Sequence, residues 1–395
     1  MGQFNRMGTL LCQVLTAVHH LPHLPQEARD ILQNGADKFA QNAAIMGDSL
    51  HDYLQRAAEQ GIETAVLKGL SVSINTYGDP AMRPGGDIDI LVRHKDVSAS
   101  LDILEAMGIG QNWPNLMDDA YYERHHLHQQ RCTADLKLWY EIHWALDHPL
   151  TRLTIDYEAI MDRATPGTLL DAPVQDLAVP DNLIALCVHL VKHAIYLPSV
   201  LHRPDLARII LADGMLMYFL DVAELIRQTA ELDWQELVTL CRAYGTVDMV
   251  GAVLVVCHQL LDTPVPDWVI AALPVSAPGP VKKAIMEKLV DYETAVHLGQ
   301  QPSRLWHFLL ITNGAFILRP IRLLDLSEYL FPGKDFLQRR YGSGSGATAV
   351  KHGLRALGQY SLVAVDTFRF TWERYWRLRR LKYSTSLFNR LEVET

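Results

Sequence analysis

"RPGGDIDILV", residues 83–92, reads as a β-strand entered from a glycine turn, yet it carries Asp87 and Asp89 one residue apart. Side chains alternate along a strand, so Asp87, Asp89 and Leu91 share one face while Ile88, Ile90 and Val92 share the other. The apolar face needs a packed layer. The acidic face needs a counter-charge, because two carboxylates one pleat apart repel each other. A divalent cation supplies it most simply, since Mg²⁺ is held by one or two carboxylates together with substrate phosphate oxygens.

On the N-terminal side, "IETAVLKG" (62–69) reads as a short strand ended by Gly69, and Leu70 to Tyr77 as a helix closed by "GDP". On the C-terminal side a helix is expected from Asp96 to Met107, stopping at Gly108. Two more strand candidates follow, "ERHHLHQQR" (123–131) and "DLKLWYEIHWAL" (135–146). The second alternates Leu136, Leu138, Tyr140 and Ile142 against Lys137, Trp139, Glu141 and His143. Glu141 thus falls on a polar face and is a candidate third carboxylate. With it, a two-metal site could activate an attacking hydroxyl and stabilise a departing pyrophosphate.

Interleaved strands and helices make residues 61–165 a small mixed α/β unit. Residues 1–60 read as a helical lead-in, with Ile31, Phe39, Ala43, Ile45, Leu50 and Leu54 at helical spacing. Pro166 and the "DAP" and "VPD" turns suggest a boundary at 165–182. Beyond it, residues 180–330 read as a helical domain, with helices expected at 182–196, 206–228, 234–244, 249–261, 281–296 and 305–318. Residues 331–395 hold a "GSGSG" loop and a basic aromatic helix containing Trp372, Tyr375, Trp376, Arg377, Arg379 and Arg380. Packing with an exposed basic side is the expectation for that helix. The fold class is α+β.

The 395 residues are 49% hydrophobic and 21% charged, ordinary for a globular protein. A net charge of −9 argues against non-specific nucleic-acid binding, which depends on Lys and Arg displacing counterions. The five cysteines are scattered, odd in number and never spaced as CxxC, so neither a disulfide framework nor a structural zinc site is indicated. "MVGAVLVVCHQLL" and "FLLITNGAFIL" are too short to span a bilayer, and no signal-peptide cleavage site follows the N-terminal apolar run. A cytoplasmic protein with no transmembrane segment is expected.

Three motifs in order, "LKGLS" (67–71), "DIDILV" (87–92) and "YEIHW" (140–144), resemble the DNA-polymerase-β-like nucleotidyltransferase superfamily. They are more closely similar to a bacterial nucleotidyltransferase family with "LKG", "R..DIDLLV" and "HW" signatures. The resemblance implies a small mixed-sheet nucleotidyltransferase domain beside a larger all-helical one. It implies Asp87, Asp89 and Glu141 as catalytic metal ligands for Mg²⁺ or Mn²⁺. Lys68, Gly69, Ser71 and Arg83 would hold the triphosphate of an NTP such as ATP. Leu70 intervenes between Gly69 and Ser71, a departure from the superfamily's glycine turn that bears on Ser71. The implied reaction moves an NMP from an NTP to a small-molecule, sugar or protein acceptor and releases pyrophosphate. Two other readings stand beside it: a non-catalytic nucleotide-binding or scaffolding protein, and a toxin or regulator that nucleotidylates a protein.

His189 and His193 share a helix face, but Leu190 stands where a zinc protease needs glutamate, so a packed polar face is expected. Asp221 either lines a cleft or braces helices. In "RHHLHQQR", residues 125, 126 and 128 cannot all lie on one strand face, which makes metal chelation there a minority reading.

Overall fold

The computed structural model describes residues 5–83, 85–111, 126–147, 153–194, 197, 201, 215–276 and 333–355. The helices expected at 281–296 and 305–318, and the basic aromatic helix, lie outside these residues. The chain divides into two compact units, Met1–Ser276 and Ala277–Thr395.

The first unit opens with α1 (Asn5–Ala17) and the long α2 (Gln26–Glu59). It continues through β1 (Thr64–Leu67), α3 (Gly69–Tyr77), β2 (Ile88–Val92) and α4 (Val97–Ala106). Then follow β3 (His128–Cys132), β4 (Trp139–His143), α5 (Tyr157–Arg163) and the strands β5 (Thr165–Leu169) and β6 (Ala172–Asp176). Helices α6 (Val179–His193), α7 (Leu216–Gln228), α8 (Trp234–Tyr244), α9 (Val247–Leu261) and α10 (Asp267–Ala272) complete it. The architecture is α+β: a mixed four-stranded sheet with helices and a helical region. Among the described residues no helix is long and apolar enough to cross a membrane. All five cysteines are buried free thiols.

The sheet runs in the order β1-β2-β4-β3, with β2 and β4 parallel and both edge strands antiparallel to their neighbours. On one face Ile88, Ile90, Val92, Tyr140 and Ile142 join a single core with α2 and α4. The α2 contribution is Ala43, Met46, Leu50, Tyr53, Leu54 and Ala57, a stripe at three- and four-residue steps. The expectation that Ile31 and Ile45 belong to this stripe is corrected: they are 61% and 59% exposed, because the helix rotates them out of register. Ser49 on α2 also hydrogen-bonds the Tyr140 hydroxyl at 2.9 Å, fixing the helix over the sheet.

Two other details differ from the sequence reading. The strand expected from residue 135 begins at Trp139, because Leu136 takes a left-handed backbone (φ 58°) in a turn where its amide bonds the Thr133 carbonyl. The stretch read as a boundary at 165–182 contains the β5–β6 hairpin. Its two-residue turn, Leu170 and Asp171, has both φ angles positive (52° and 61°), a conformation that sequence usually signals with Asn-Gly. Here α2 holds the turn instead, through His51 to the Leu170 carbonyl and Gln55 to the Asp171 carbonyl.

In the helical region α6 is central, packing against α7, α8 and α9. Leu183, Ile184, Cys187, Val188, Leu190 and Val191 are fully buried, so α6 is apolar over most of its circumference. Two ion pairs tie this region to the sheet-bearing part. Arg163 on α5 meets both carboxylate oxygens of the buried Asp181 at 2.8 Å and donates to the Tyr244 hydroxyl. Arg83, in the loop before β2, places Nε and Nη2 each 2.9 Å from Asp221 Oδ2, while Tyr77 donates to Oδ1 at 3.2 Å.

In the second unit, α11 (Lys334–Tyr341) ends on Gly342 in the left-handed region (φ 69°). Ser345 then accepts from the Thr348 amide at 3.3 Å at the start of a helix over 346–355. "GSGSG" is therefore a helix-to-helix connection.

Arg83 and Asp221 are both buried, at 6% and 1% exposure, so removing one partner strands the other's charge. Arg83→Met is expected to cost about 3–5 kcal/mol in urea unfolding. The Arg83→Met/Asp221→Leu double variant should recover most of that loss.

Candidate active site

The parallel register of β2 on β4 sets Asp89 directly opposite Glu141, and Leu67 at the end of β1 lies opposite Asp89 on the other side. The acidic side chains therefore sit on the sheet face away from the α2–α4 core. Asp87 stands one residue before β2 and is over a third exposed, whereas the Asp89 side chain is fully buried. Ligand oxygens of Asp87, Asp89 and Glu141 all lie within 4.8 Å of one another.

Two cationic groups offset this charge. Lys68, between β1 and α3, puts Nζ 2.8 Å from Asp89 and 3.6 Å from Asp87. Its backbone has φ 37°, which side-chain-bearing residues rarely adopt, and the next residue, Gly69, is also left-handed (φ 51°). Such a conformation costs of order 1–3 kcal/mol and persists where its surroundings enforce it. Burial by itself would lower the Lys68 pKa, but Asp89 and Asp87 outweigh it and hold the ammonium above the ordinary lysine range.

His143 is the second counter-charge. Its Nε2 lies 3.0 Å from Asp89 Oδ1 and 3.3 Å from Glu141 Oε2, and its Nδ1 faces the Ala145 carbonyl at 3.2 Å. Burial pulls its pKa down, yet the hydrogen bonds to Asp89 and Glu141 leave it raised. Against its own burial, Glu141 is held well below the usual carboxylate range by the His143 hydrogen bond and charge, and by Gln130 donating at 2.6 Å. Asp87 goes the other way: desolvation and the neighbouring Asp89 push it up to about 6 against the pull of Lys68. On β3, His128 is kept neutral by burial and by His143.

The donor set fits a hard divalent cation. Three carboxylates converge on one small volume beside the Lys68 ammonium, as an oxygen-binding ion requires.

Of the residues singled out in the sequence, Lys68, Asp87, Asp89 and Glu141 are brought together. Gly69 opens α3 beside them. Ser71 sits in the first turn of α3, where Asn75 donates to its hydroxyl at 3.4 Å. Arg83 is engaged by Asp221, and its guanidinium lies 5.4 Å from the centre of the Tyr218 ring. Asp221 braces helices. His189 and His193 contact each other and Tyr218, with His193 stacked on the ring.

A narrow cleft of about 30 Å³ opens beside Lys68 and His143, walled by Leu146 and by Ala185, His189 and Lys192 of α6. Burial, then the charge of Lys68, pushes His189 well below its usual range. Lys192 is also lowered by burial, opposed by Asp147, and donates to the Leu146 carbonyl at 3.4 Å. Sequence reasoning passed over Lys192. Its signal was available, since Ala185, His189 and Lys192 recur at i, i+4 and i+7 on one helix face.

No curated protein and no solved structure matches the chain. A family model does, described as uncharacterised nucleotidyltransferase and covering residues 1–262, a span that contains β1 to β4, the acidic cluster and α6. By that match over well more than half of its length, the chain belongs to the uncharacterised nucleotidyltransferase family.

Proposed function

We propose that the protein is a metal-dependent nucleotidyltransferase that moves an NMP from an NTP to an acceptor hydroxyl or phosphate and releases pyrophosphate. The convergence of Asp87, Asp89 and Glu141 beside Lys68 is the observation that carries this reading. Membership of the family supports the NTP as substrate. The acceptor class stays broad, because small-molecule, sugar and protein hydroxyls are all compatible with such a centre.

In this reading Asp87 and Asp89 hold Mg²⁺ or Mn²⁺, with Glu141 as the third carboxylate. The bound cation would neutralise the phosphate oxygens and polarise the reacting phosphorus. The remaining work belongs to the chain. Glu141, kept ionised by His143, orients the acceptor hydroxyl and accepts its proton. Lys68, released from the aspartates by a bound cation, would turn to the triphosphate, next to the Gly69 turn and Ser71. Lys192 and His189 face the same cleft from α6 and add positive charge and a neutral hydrogen-bonding group to the pyrophosphate side. Phosphoryl transfer depends chiefly on such positioning and charge stabilisation. Arg83 acts through Asp221, holding α3 and the β2 approach against α7 rather than touching phosphate.

The non-catalytic alternative draws support from Lys68, which pairs with both proposed metal ligands. A pyrophosphate-release screen with each of four NTPs, Mg²⁺ or Mn²⁺ and pooled acceptors separates the two. Release that falls at least about 10²–10³-fold in Asp87→Asn and Asp89→Asn, and disappears with EDTA, is the expected result. Turnover that survives both substitutions would sink the proposal, and metal-dependent NTP binding without release would favour the binding module.

Lys192→Met tests the α6 side of the cleft. Losing one charged contact to phosphate, worth about 1.5–3 kcal/mol, should lower kcat/KM for the NTP roughly 10- to 100-fold while the folded-state spectrum is unchanged.

A further inference from the structure

The β3–β4 pairing creates a second set of donors that the carboxylate centre does not require. His128 lies directly opposite His143 across the two strands, and Gln130 opposite Glu141. One ligand atom from each of His128, Glu141 and His143 lies within 4.8 Å of the other two. The two histidine rings meet edge to face with centroids 4.7 Å apart.

We propose that His128, Glu141 and His143 form a nitrogen-rich site for one transition-metal cation of the Zn²⁺ class, separate from the Mg²⁺ site at Asp87 and Asp89 and sharing Glu141 with it. The proposal rests on the reading of the acidic centre only through that shared residue.

Three observations carry it. Glu141 Oε2 is 3.3 Å from His143 Nε2 and 3.4 Å from His128 Nδ1. A tetrahedral ion with bonds of about 2.0–2.2 Å has ligand-to-ligand edges of about 3.3–3.6 Å, so both contacts already have the span of a coordination edge. Next, His143 Nδ1 faces the Ala145 carbonyl at 3.2 Å. A metal-binding histidine usually donates its other ring N–H to such a carbonyl, which fixes the tautomer that presents Nε2 to the ion. Finally, His128 Nδ1 is fully buried and has no hydrogen-bond partner, although Glu141 Oε2 is near. An imidazole nitrogen buried in this way needs a partner, and a cation in line with Glu141 would provide one.

The chemistry selects the ion. Two imidazoles and one carboxylate are the ligands of catalytic Zn²⁺ sites that keep a fourth position open, and they suit Mg²⁺ poorly because it prefers oxygen. Asp89 Oδ1, 3.0 Å from His143 Nε2, borders the site and links it to the other centre. A bound ion would take the place of the proton that His143 now shares with the two carboxylates.

The test is metal binding by the full chain, stripped with EDTA and kept in excess Mg²⁺ to fill the oxygen site. One equivalent of Zn²⁺ is added, and the first shell is read by X-ray absorption, with affinity from competition against a chromophoric chelator. Two imidazole nitrogens with oxygen are expected. An all-oxygen or sulfur-containing shell, or no binding, would overturn the proposal. His128→Asn should weaken Zn²⁺ at least about 10- to 100-fold while Mn²⁺ binding at the aspartates stays within about threefold. Unchanged Zn²⁺ affinity in that variant also overturns it; if the variant does not fold, the wild-type absorption spectrum decides. Asp87→Asn should abolish pyrophosphate release yet keep Zn²⁺, and loss of Zn²⁺ there would refute a separate site. Zn²⁺ bound through two imidazoles with no nucleotidyl transfer leaves this site standing and removes only the transfer reading.

Discussion

The parallel pairing of β2 with β4 is the constraint on which the rest depends. It aligns Ile88 with Tyr140 and Ile90 with Ile142 on one face, and the same register unavoidably brings Asp89 against Glu141 on the other. The apolar face anchors the register, because a slip by one residue would turn Ile88, Ile90, Tyr140 and Ile142 out of the core. Burying large side chains there stabilises by about 1.5–3 kcal/mol apiece. That is enough to hold two carboxylates together in a low-dielectric setting, provided that counter-charges accompany them. Lys68 and His143 are those counter-charges; Lys68 follows β1, the strand paired with β2, and His143 ends β4.

Much of this was legible in the sequence because it is local. The alternation in "DIDILV" and in "YEIH" fixes which side chains share a face, and a glycine after "LK" marks the turn that delivers Lys68. The parts that were not legible depend on distant partners. Arg83 stands next to the acidic strand in sequence, yet its partner Asp221 lies 138 residues away, so no local pattern reveals that pairing. The Leu170–Asp171 turn lacks the residues that announce a hairpin, since α2 supplies the restraint that Asn-Gly would otherwise encode. The neighbour that His128 meets, His143, comes from another strand, so the local run of histidines does not reveal the contact. For Lys192 the helix periodicity was present, but no pattern within α6 reveals what that face will look upon.

The helical region does more than cover one side of the sheet. Through α6 it contributes a wall whose interior is hydrophobic and whose cleft-facing edge is polar. The Arg163–Asp181–Tyr244 and Arg83–Asp221–Tyr77 clusters connect that wall to α5, α8 and the loop before β2. Such buried pairs add little net stability over apolar substitutes, but each defines a single geometry for the elements it joins.

The left-handed backbone at Lys68 has a thermodynamic corollary. With its ammonium 2.8 Å from Asp89 and 3.6 Å from Asp87, Lys68 takes the counter-charge position that the proposed metal would fill. In the proposed reading metal uptake would be an exchange, its free energy the difference between two occupied states instead of the full attraction of bare carboxylates. An ion arriving without phosphate would have to displace the lysine from both aspartates, whereas a polyphosphate arriving with the ion would bring it a new partner. The proposed centre would in this sense act as a coincidence detector, favouring metal and polyphosphate together over either by itself.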